Sequence, residues 1–384
     1  MLIPQLFYSA RGTPLSAYHR IKDLISMGHE VEVLTYGLGD PPPDLSIVVH
    51  RARGPHLARS LRQGPSALKI WLDVLLFVSF LRLLLRRRYD LVYTHEEAGF
   101  LAALVCPVFR LPFVYDMHSS LPLQIRDWRF SDLEAVVATF RFVERFTLKR
   151  ARATVAISPG VAAAAHASWP QASVVTIPNR FDLEAKASPA EGFRLRESLG
   201  LAPMHRVVLY TGSFVPLQAL DMLVDAIPSV VARCPDARFL LVGGAKPELE
   251  VLAKQAERRG VRDLLVLVEH RPQREMSAFM AAADALVSPR VKGINPPGKL
   301  FSYLDSGKPV VATDRPIHNQ VLDGSFSILT PPDAAGLAEG IVAALTNHAR
   351  VDALTQRAAD VLRTRYGPAE RTRAYAELLR LVQG

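Results

Sequence analysis

Residues Arg206 to Gly244 read RVVLYTGSFVPLQALDMLVDAIPSVVARCPDARFLLVGG, and this stretch decides the fold. A β-branched run, RVVLYTG, gives way to Leu217 to Arg233, where apolar residues recur at spacings of three and four, and a second run, RFLLVGG, follows. Runs that are apolar throughout, joined by an amphipathic helix, predict a βαβ unit: parallel strands covered by helices on both faces. The alternation continues in both directions. QLFY, EVEVLTY, LSIVVHR, LVYTH, FVYDMH, TVAIS and VVTIPN precede the stretch, and LLVLVEH, ALVSPR, PVVATD and FSILT follow it. Helical patterns such as Leu15 to Met27 and Pro247 to Gly260 lie between the runs. The series breaks once, over PNRFDLEAKASPAEG, Pro178 to Gly192, which reads as a linker.

At 384 residues the chain is long enough for two domains, each with its own core. We therefore expect an α/β protein of two Rossmann-like, doubly wound domains facing one another across a cleft, residues 1–182 and 183–367. Half the residues are apolar and aromatics are few, which excludes a disordered chain. The start, MLIPQLFYSARG, lacks the pattern of a signal peptide, so the expected location is cytoplasmic. Cys106 and Cys234 stand alone in different halves, which supports neither disulfides nor a thiolate metal site. The net charge is +9, and residues 1–180 hold 21 Lys and Arg against 14 Asp and Glu. A basic first half suits nucleic acid, an anionic membrane surface or a phosphorylated substrate. Nucleic-acid motifs are absent, so no nucleic-acid partner is expected.

Ligands of doubly wound folds bind beyond the carboxyl ends of the strands, so the residues just after each run carry the chemistry. After the first run, Arg11, Gly12 and Thr13 precede Pro14, giving a turn whose free N–H groups suit an anion, or a plain strand-to-helix connection. His95 follows the fourth run with Glu96 and Glu97, and Asp116 and His118 follow the fifth. Asp116 either holds His118 or belongs to a turn. Gly212 and Ser213 open a turn that can cradle phosphate. In SPRVKGINPPGKLFSYLDSGKPVVAT, Ser288 to Thr313, the cations Arg290, Lys292 and Lys299 gather between prolines and glycines at a strand edge, as for a phosphate-bearing ligand or as a solvated loop. Arg271 follows a further strand edge and would flank a nucleotide base. Ala67 to Arg88, ALKIWLDVLLFVSFLRLLLRRR, is too interrupted for a membrane span. It reads as a core helix with a basic end, or as a helix resting on anionic lipid through Arg86, Arg87 and Arg88.

In order and spacing these elements resemble a family 4 glycosyltransferase of the GT-B fold. The resemblance rests on GHEVEVLTY, YDMH, IPNRFD, LYTGSFVPLQALDML and SPRVKGINPPGKLFSYLDSGKPVVATD, and it covers nearly the whole chain. It implies a retaining, metal-independent hexosyl transfer from a nucleotide diphosphate sugar to a lipid-linked or polysaccharide acceptor, with no cofactor. Arg290 and Lys299 would stabilise the leaving diphosphate, and His118 would orient the donor sugar. Gly12, Gly212, Ser213, Gln218, Arg271, Gly293, Asn295 and Ser302 would line the donor, and Arg11, Thr13, His95 and Asp116 the acceptor side. The last helix, 368–384, would pack back on the first domain, and the protein would work peripherally at the inner membrane face. The chain departs from the common pattern at four places. Ser213 and Gln218 replace the Arg and Lys of G-R-x-x-x-x-K-G, and Ile294 and Ser302 replace two glutamates, which resembles a variant branch with its cations on the opposite loop. A non-catalytic sugar-nucleotide or glycan-binding module and a sugar-nucleotide epimerase are the alternatives.

Overall fold

The structure, a computed structural model, describes residues 1–7, 12–37, 44–52, 67–123, 133–179, 186–293 and 295–383. It divides into two compact units, Met1–Asn179 with Arg371–Gly384, and Arg180–Glu370. The boundary expected at 182/183 lies outside the described residues.

The first unit is built on seven strands: β1 (Leu2–Ile3), β2 (Glu32–Thr35), β3 (Val48–Arg51), β4 (Val92–His95), β5 (Phe113–Met117), β6 (Ala153–Ala156) and β7 (Val174–Thr176). Their spatial order is β3-β2-β1-β4-β5-β6-β7, and every pairing is parallel. The second unit holds β8 (Arg206–Thr211), β9 (Ala237–Val242), β10 (Leu265–Val268), β11 (Ala285–Ser288), β12 (Val310–Thr313) and β13 (Ile328–Thr330). They lie in the order β10-β9-β8-β11-β12-β13, again all parallel. Each sheet is filled outward from one strand and then from its other side, so the order reverses once, between β1 and β4 and between β8 and β11. Loops leaving those strands run to opposite faces of the sheet and open a crevice at the carboxyl edge. The sheets are buried on both faces, as their unbroken apolar runs require.

Three local expectations need correction. The first strand is Leu2–Ile3 rather than QLFY: Pro4 has no N–H to continue the ladder, and the Thr35 hydroxyl donates to the Gln5 carbonyl at 2.7 Å instead. Gly12 and Thr13 do not form a turn but open the helix Gly12–Ser26. The stretch taken as a linker to Gly192 already contains the start of the helix Pro189–Ser198. Ser188 caps it, and the Glu191 carboxylate accepts from the Ser188 N–H at 2.8 Å, a capping box too local to show as periodicity.

The helix Pro368–Gln383 ends the chain, and from Arg371 onward it belongs to the first unit. Tyr375 and Leu378 are buried with Leu24, Tyr93, Val114, Val155 and Val175, and Arg371 pairs with Asp23 at 3.2 Å. Removing so large a fully buried ring costs about 3 kcal/mol. Tyr375→Ala is therefore expected to lower the unfolding free energy of the first unit, read from urea titration, by that order, and Tyr375→Phe to keep most of it. Equal stability of Tyr375→Ala and the parent chain would contradict this packing.

Candidate functional site

In the second unit the loops leaving β8 and β11 flank the strand-order reversal, and the candidate donor residues cluster there. Lys299 opens the helix Lys299–Asp305, donates to the Thr211 carbonyl at 3.0 Å and lies 3.5 Å from the centroid of the Tyr210 ring. Four residues along the same helix, one turn away, Tyr303 accepts from the Thr211 N–H at 2.7 Å. Both side chains thus fasten the helix to the end of β8. Gly212 follows with φ +133°, and Gly243, after β9, has φ +134°. A Cβ on Gly243 would lie 1.8 Å from the Gly212 carbonyl oxygen, so only glycine lets the two loops approach this closely. Tyr210 donates to the Ser213 carbonyl at 2.7 Å and fixes the turn.

A second set of contacts holds Arg290. The Thr313 hydroxyl, at the end of β12, donates to the Arg290 carbonyl at 2.5 Å, and the Arg290 Nε donates to the Lys292 carbonyl at 2.9 Å. Behind Thr313 stands His318, fully buried: its Nδ1 lies 2.8 Å from the Thr313 carbonyl and its Nε2 2.9 Å from the Ser288 hydroxyl. Donation from Nδ1 to the carbonyl and acceptance at Nε2 use up a neutral ring. Burial pushes the His318 pKa down to about 4 against the raising effect of the Thr313 carbonyl, and Lys299 and Arg290 add to the depression. Gly293 has φ +109°, and a Cβ there would meet Arg290 Nη2 at 2.3 Å. Burial, then the neighbouring Arg290, hold the Lys299 amine well below its usual pKa. The charges that shift Lys299 and His318 are cationic, and this edge therefore favours an anion.

The remaining donor-side residues are less gathered. Ser213 is exposed, Asn295 is half-buried in the β11 loop, and Ser302 is buried in the Lys299–Asp305 helix. Gln218 ends the 3-10 turn Pro216–Gln218 with its Oε1 buried and without a partner. Ala219, where the family pattern has its closing glycine, takes a left-handed φ of +51° that glycine would adopt without strain. Arg271 lies exposed after β10, two strands from β8, in a loop whose His270 N–H donates to the Gly244 carbonyl after β9 at 3.2 Å. Lys292 is exposed, and Ile294 lies outside the described residues.

In the first unit, β4 and β5 bring His95, Asp116 and His118 together. His95 Nδ1 lies 3.2 Å from His118 Nε2, and Asp116 Oδ1 lies 3.4 Å from the same nitrogen. Asp116 is wholly buried and accepts from Arg20 at 3.1 Å and from Tyr93 at 2.8 Å. Its pKa stays low because Arg20, with smaller help from the two histidines, outweighs the burial that would raise it. Arg20 is in turn held by the Ile177 carbonyl at 2.5 Å and lies beside Tyr375. Arg20, Tyr93 and Tyr375 could not be found from spacing, since they lie in three distant segments. Donor atoms of His95, Asp116 and His118 come within 4.8 Å of one another, the one such set among the described residues that could hold a metal ion. Arg20 already takes up the negative charge that Asp116 would offer to an ion, and we read the trio as support for His118. Thr13 donates to Glu96 at 2.8 Å and tethers the first helix to the loop after β4. Arg11 lies outside the described residues, and the placement of the Gly12 main chain is confined to the start of its helix.

Burial pushes the His95 pKa down to about 3. The unfolded chain binds a proton there near pH 6.5 and the folded chain does not until far lower, so stability is lost as pH falls from about 6.5 toward 3. Between pH 6.5 and 4.5 this amounts to about 2–3 kcal/mol at 1.36 kcal/mol per pH unit. Urea midpoints of the first unit measured across this range should fall in the parent chain and stay flatter in His95→Gln; parallel curves would contradict a buried neutral His95.

Comparisons with known proteins agree with this architecture. The Glycosyltransferase Family 4 model matches residues 11–185, and the model of group 1 glycosyl transferases matches residues 205–347. A GDP-mannose-dependent alpha-(1-6)-phosphatidylinositol monomannoside mannosyltransferase of Mycolicibacterium smegmatis is 34% identical over 155 residues, covering 38% of this chain and 40% of that protein. The chain thus spans less than half the length of this relative. A 2-deoxystreptamine glucosyltransferase of Streptomyces kanamyceticus is 27% identical over 285 residues, 70% of this chain and 72% of that protein. Anabaena HepE, solved in complex with UDP, superposes with a TM-score of 0.76 at 20% identity over 99% of both chains. The two matched segments take in most of both units, and the chain belongs to glycosyltransferase family 4, with the GT-B fold.

Proposed function

We propose that the protein transfers a hexose from a nucleoside diphosphate donor to a lipid-linked or glycan acceptor, with retention of configuration and with no metal or cofactor. The observation that carries this reading is the paired cations of the second unit: Lys299, set against Tyr210 and depressed by burial and by Arg290, at the crevice edge where β8 and β11 diverge. A departing diphosphate gains negative charge as the glycosidic bond breaks. Lys299 and Arg290 would meet that charge, with N–H groups of the open Gly212–Ser213 turn, and the benefit grows toward the transition state. His118, backed by His95 and Asp116, would hydrogen-bond and orient the donor sugar. The acceptor proton would pass to the leaving phosphate oxygen, so no general base is required.

The named relatives use GDP-mannose or make glucosides, and the structural neighbour binds UDP, which supports a hexose nucleotide as donor. The acceptor would dock on the first unit, near His95, Thr13 and Glu96. Arg86, Arg87 and Arg88 are exposed, and we take them as a peripheral contact with an anionic membrane surface on the cytoplasmic side. No helix among the described residues is long and apolar enough to cross a membrane.

The second reading, a binding module without turnover, draws on Ser302 and Ile294 standing where the common pattern has carboxylates. Activity separates the two. A thermal-shift screen against UDP, GDP, ADP and TDP should raise the melting temperature with one of them, since a ligand of the folded state stabilises it. Donor turnover with that base should fall at least 100-fold in His118→Ala and in Lys299→Ala, the loss expected for a directed transition-state contact. A nucleotide response with no turnover of any donor would favour the binding module.

A further inference from the structure

The helix Ala67–Arg86 is apolar on both sides, and among the described residues only one side is covered. Leu72, Leu76, Phe80 and Leu84 face the first unit's core. On the opposite side Ile70, Trp71, Val74 and Leu85 are 64%, 51%, 48% and 75% exposed. The half-buried Val78 continues the stripe, and Leu81, which also packs against the core, joins it toward Leu85 along a helix about 30 Å long. A patch of this kind on a folded surface needs a partner.

Charge identifies the partner. Arg82 and Arg86 are exposed one step round from the stripe, and Arg87 and Arg88 follow its end. The helix's polar residues near its start turn elsewhere: Asp73 accepts from Tyr36, and Lys69 pairs with Glu97. What remains outward is apolar area flanked by Arg82, Arg86 and Arg88, Arg87 being paired with Glu32, with tryptophan near one end. Two copies meeting through this face would bring Arg82, Arg86 and Arg88 of each together, six arginines, whereas an anionic bilayer surface takes both the cations and the apolar side chains. We propose that this face lies in the headgroup layer of an anionic membrane, with Ile70, Trp71, Val74 and Leu85 inserted among the acyl chains.

The proposal deepens the peripheral contact above from an electrostatic touch to insertion of a helix face. It also has a consequence for the acceptor. Lys69 and Asp73 reach residues just beyond the carboxyl ends of β4 and β2, so the inserted stripe begins beside the edge where the acceptor would dock. A lipid-linked acceptor would reach that edge without leaving the bilayer.

Vesicle cosedimentation of the full chain, with no donor or acceptor present, tests it. Phosphatidylcholine vesicles containing phosphatidylglycerol should bind the parent protein in low salt and retain a substantial part in molar salt. Arg82→Gln with Arg86→Gln and Arg88→Gln should weaken low-salt binding about 100-fold, from about 1 kcal/mol per arginine. Ile70→Ser, Trp71→Ser, Val74→Ser and Leu85→Ser together should leave low-salt binding, which also reports a folded chain, and abolish the salt-resistant part. No binding by the parent protein overturns the proposal, and so does a serine variant indistinguishable from it. A parent dimer that the serine variant dissolves, without vesicle binding, assigns the face to self-association instead. His118→Ala should bind vesicles like the parent, so failure of the transferase reading and failure of this one are separable.

Discussion

Lys299 is a cation placed where a cation is costly. Its amine has one carbonyl oxygen, that of Thr211, and the face of Tyr210, and Arg290 stands near enough to raise the cost further. Water is a better solvent for an ammonium than this combination. The position is kept because the helix that carries it is clamped to β8 through Tyr303 and because Gly243 lets its loop close on Gly212. The hydrogen bonds from His318 through Thr313 to the Arg290 backbone do the same for the second cation. An arrangement that stores unfavourable charge in the empty state releases it when a polyanion arrives, and the release is greatest for the most negative species along a reaction.

The first unit solves the opposite problem. Asp116 is a buried carboxylate that stays ionised because Arg20 reaches it from the first helix, with Tyr93 donating to the same oxygen. Losing one partner of such a pair leaves a buried charge without compensation, which is far worse than never having had the pair. Arg20 also rests on the Ile177 carbonyl and on Tyr375, so the carboxylate beside His118 is tied to the far end of the chain. The last helix is thereby part of the support of the candidate reaction centre.

All thirteen strands arose at or near apolar runs visible in the sequence, because a strand buried on both faces must be apolar throughout. Their order was not legible: periodicity says that a run is a strand and is silent about its neighbours. Hence the place of Arg271, which follows a strand like the others, could not be read from spacing: its strand lies two from β8. Gly212, Arg290, Gly293 and Lys299 could be picked out because their spacing resembles a family motif, and the loops they occupy flank one reversal of strand order. Tyr210 and Thr313 support them from positions that read as ordinary strand ends, and His318 from the short helix Pro316–Asn319. Arg20 lies within the helical pattern Leu15 to Met27 and is buried, which no spacing of apolar residues signals. Folding alone makes these residues neighbours.

The cation pair of the second unit is tested most directly by calorimetry of UDP and GDP binding in buffers of different ionisation heat. The diphosphate raises the depressed pKa of Lys299, so protons are taken up on binding where the pH lies between its free and bound values, and there the observed enthalpy should vary with the buffer. Lys299→Met should abolish that dependence and weaken binding about 10–100-fold, the range for losing a charge-assisted hydrogen bond. Diphosphate binding that is equally tight in Lys299→Met and in Arg290→Gln, with no proton uptake in any of the three proteins, would contradict the assignment of this edge as the phosphate site.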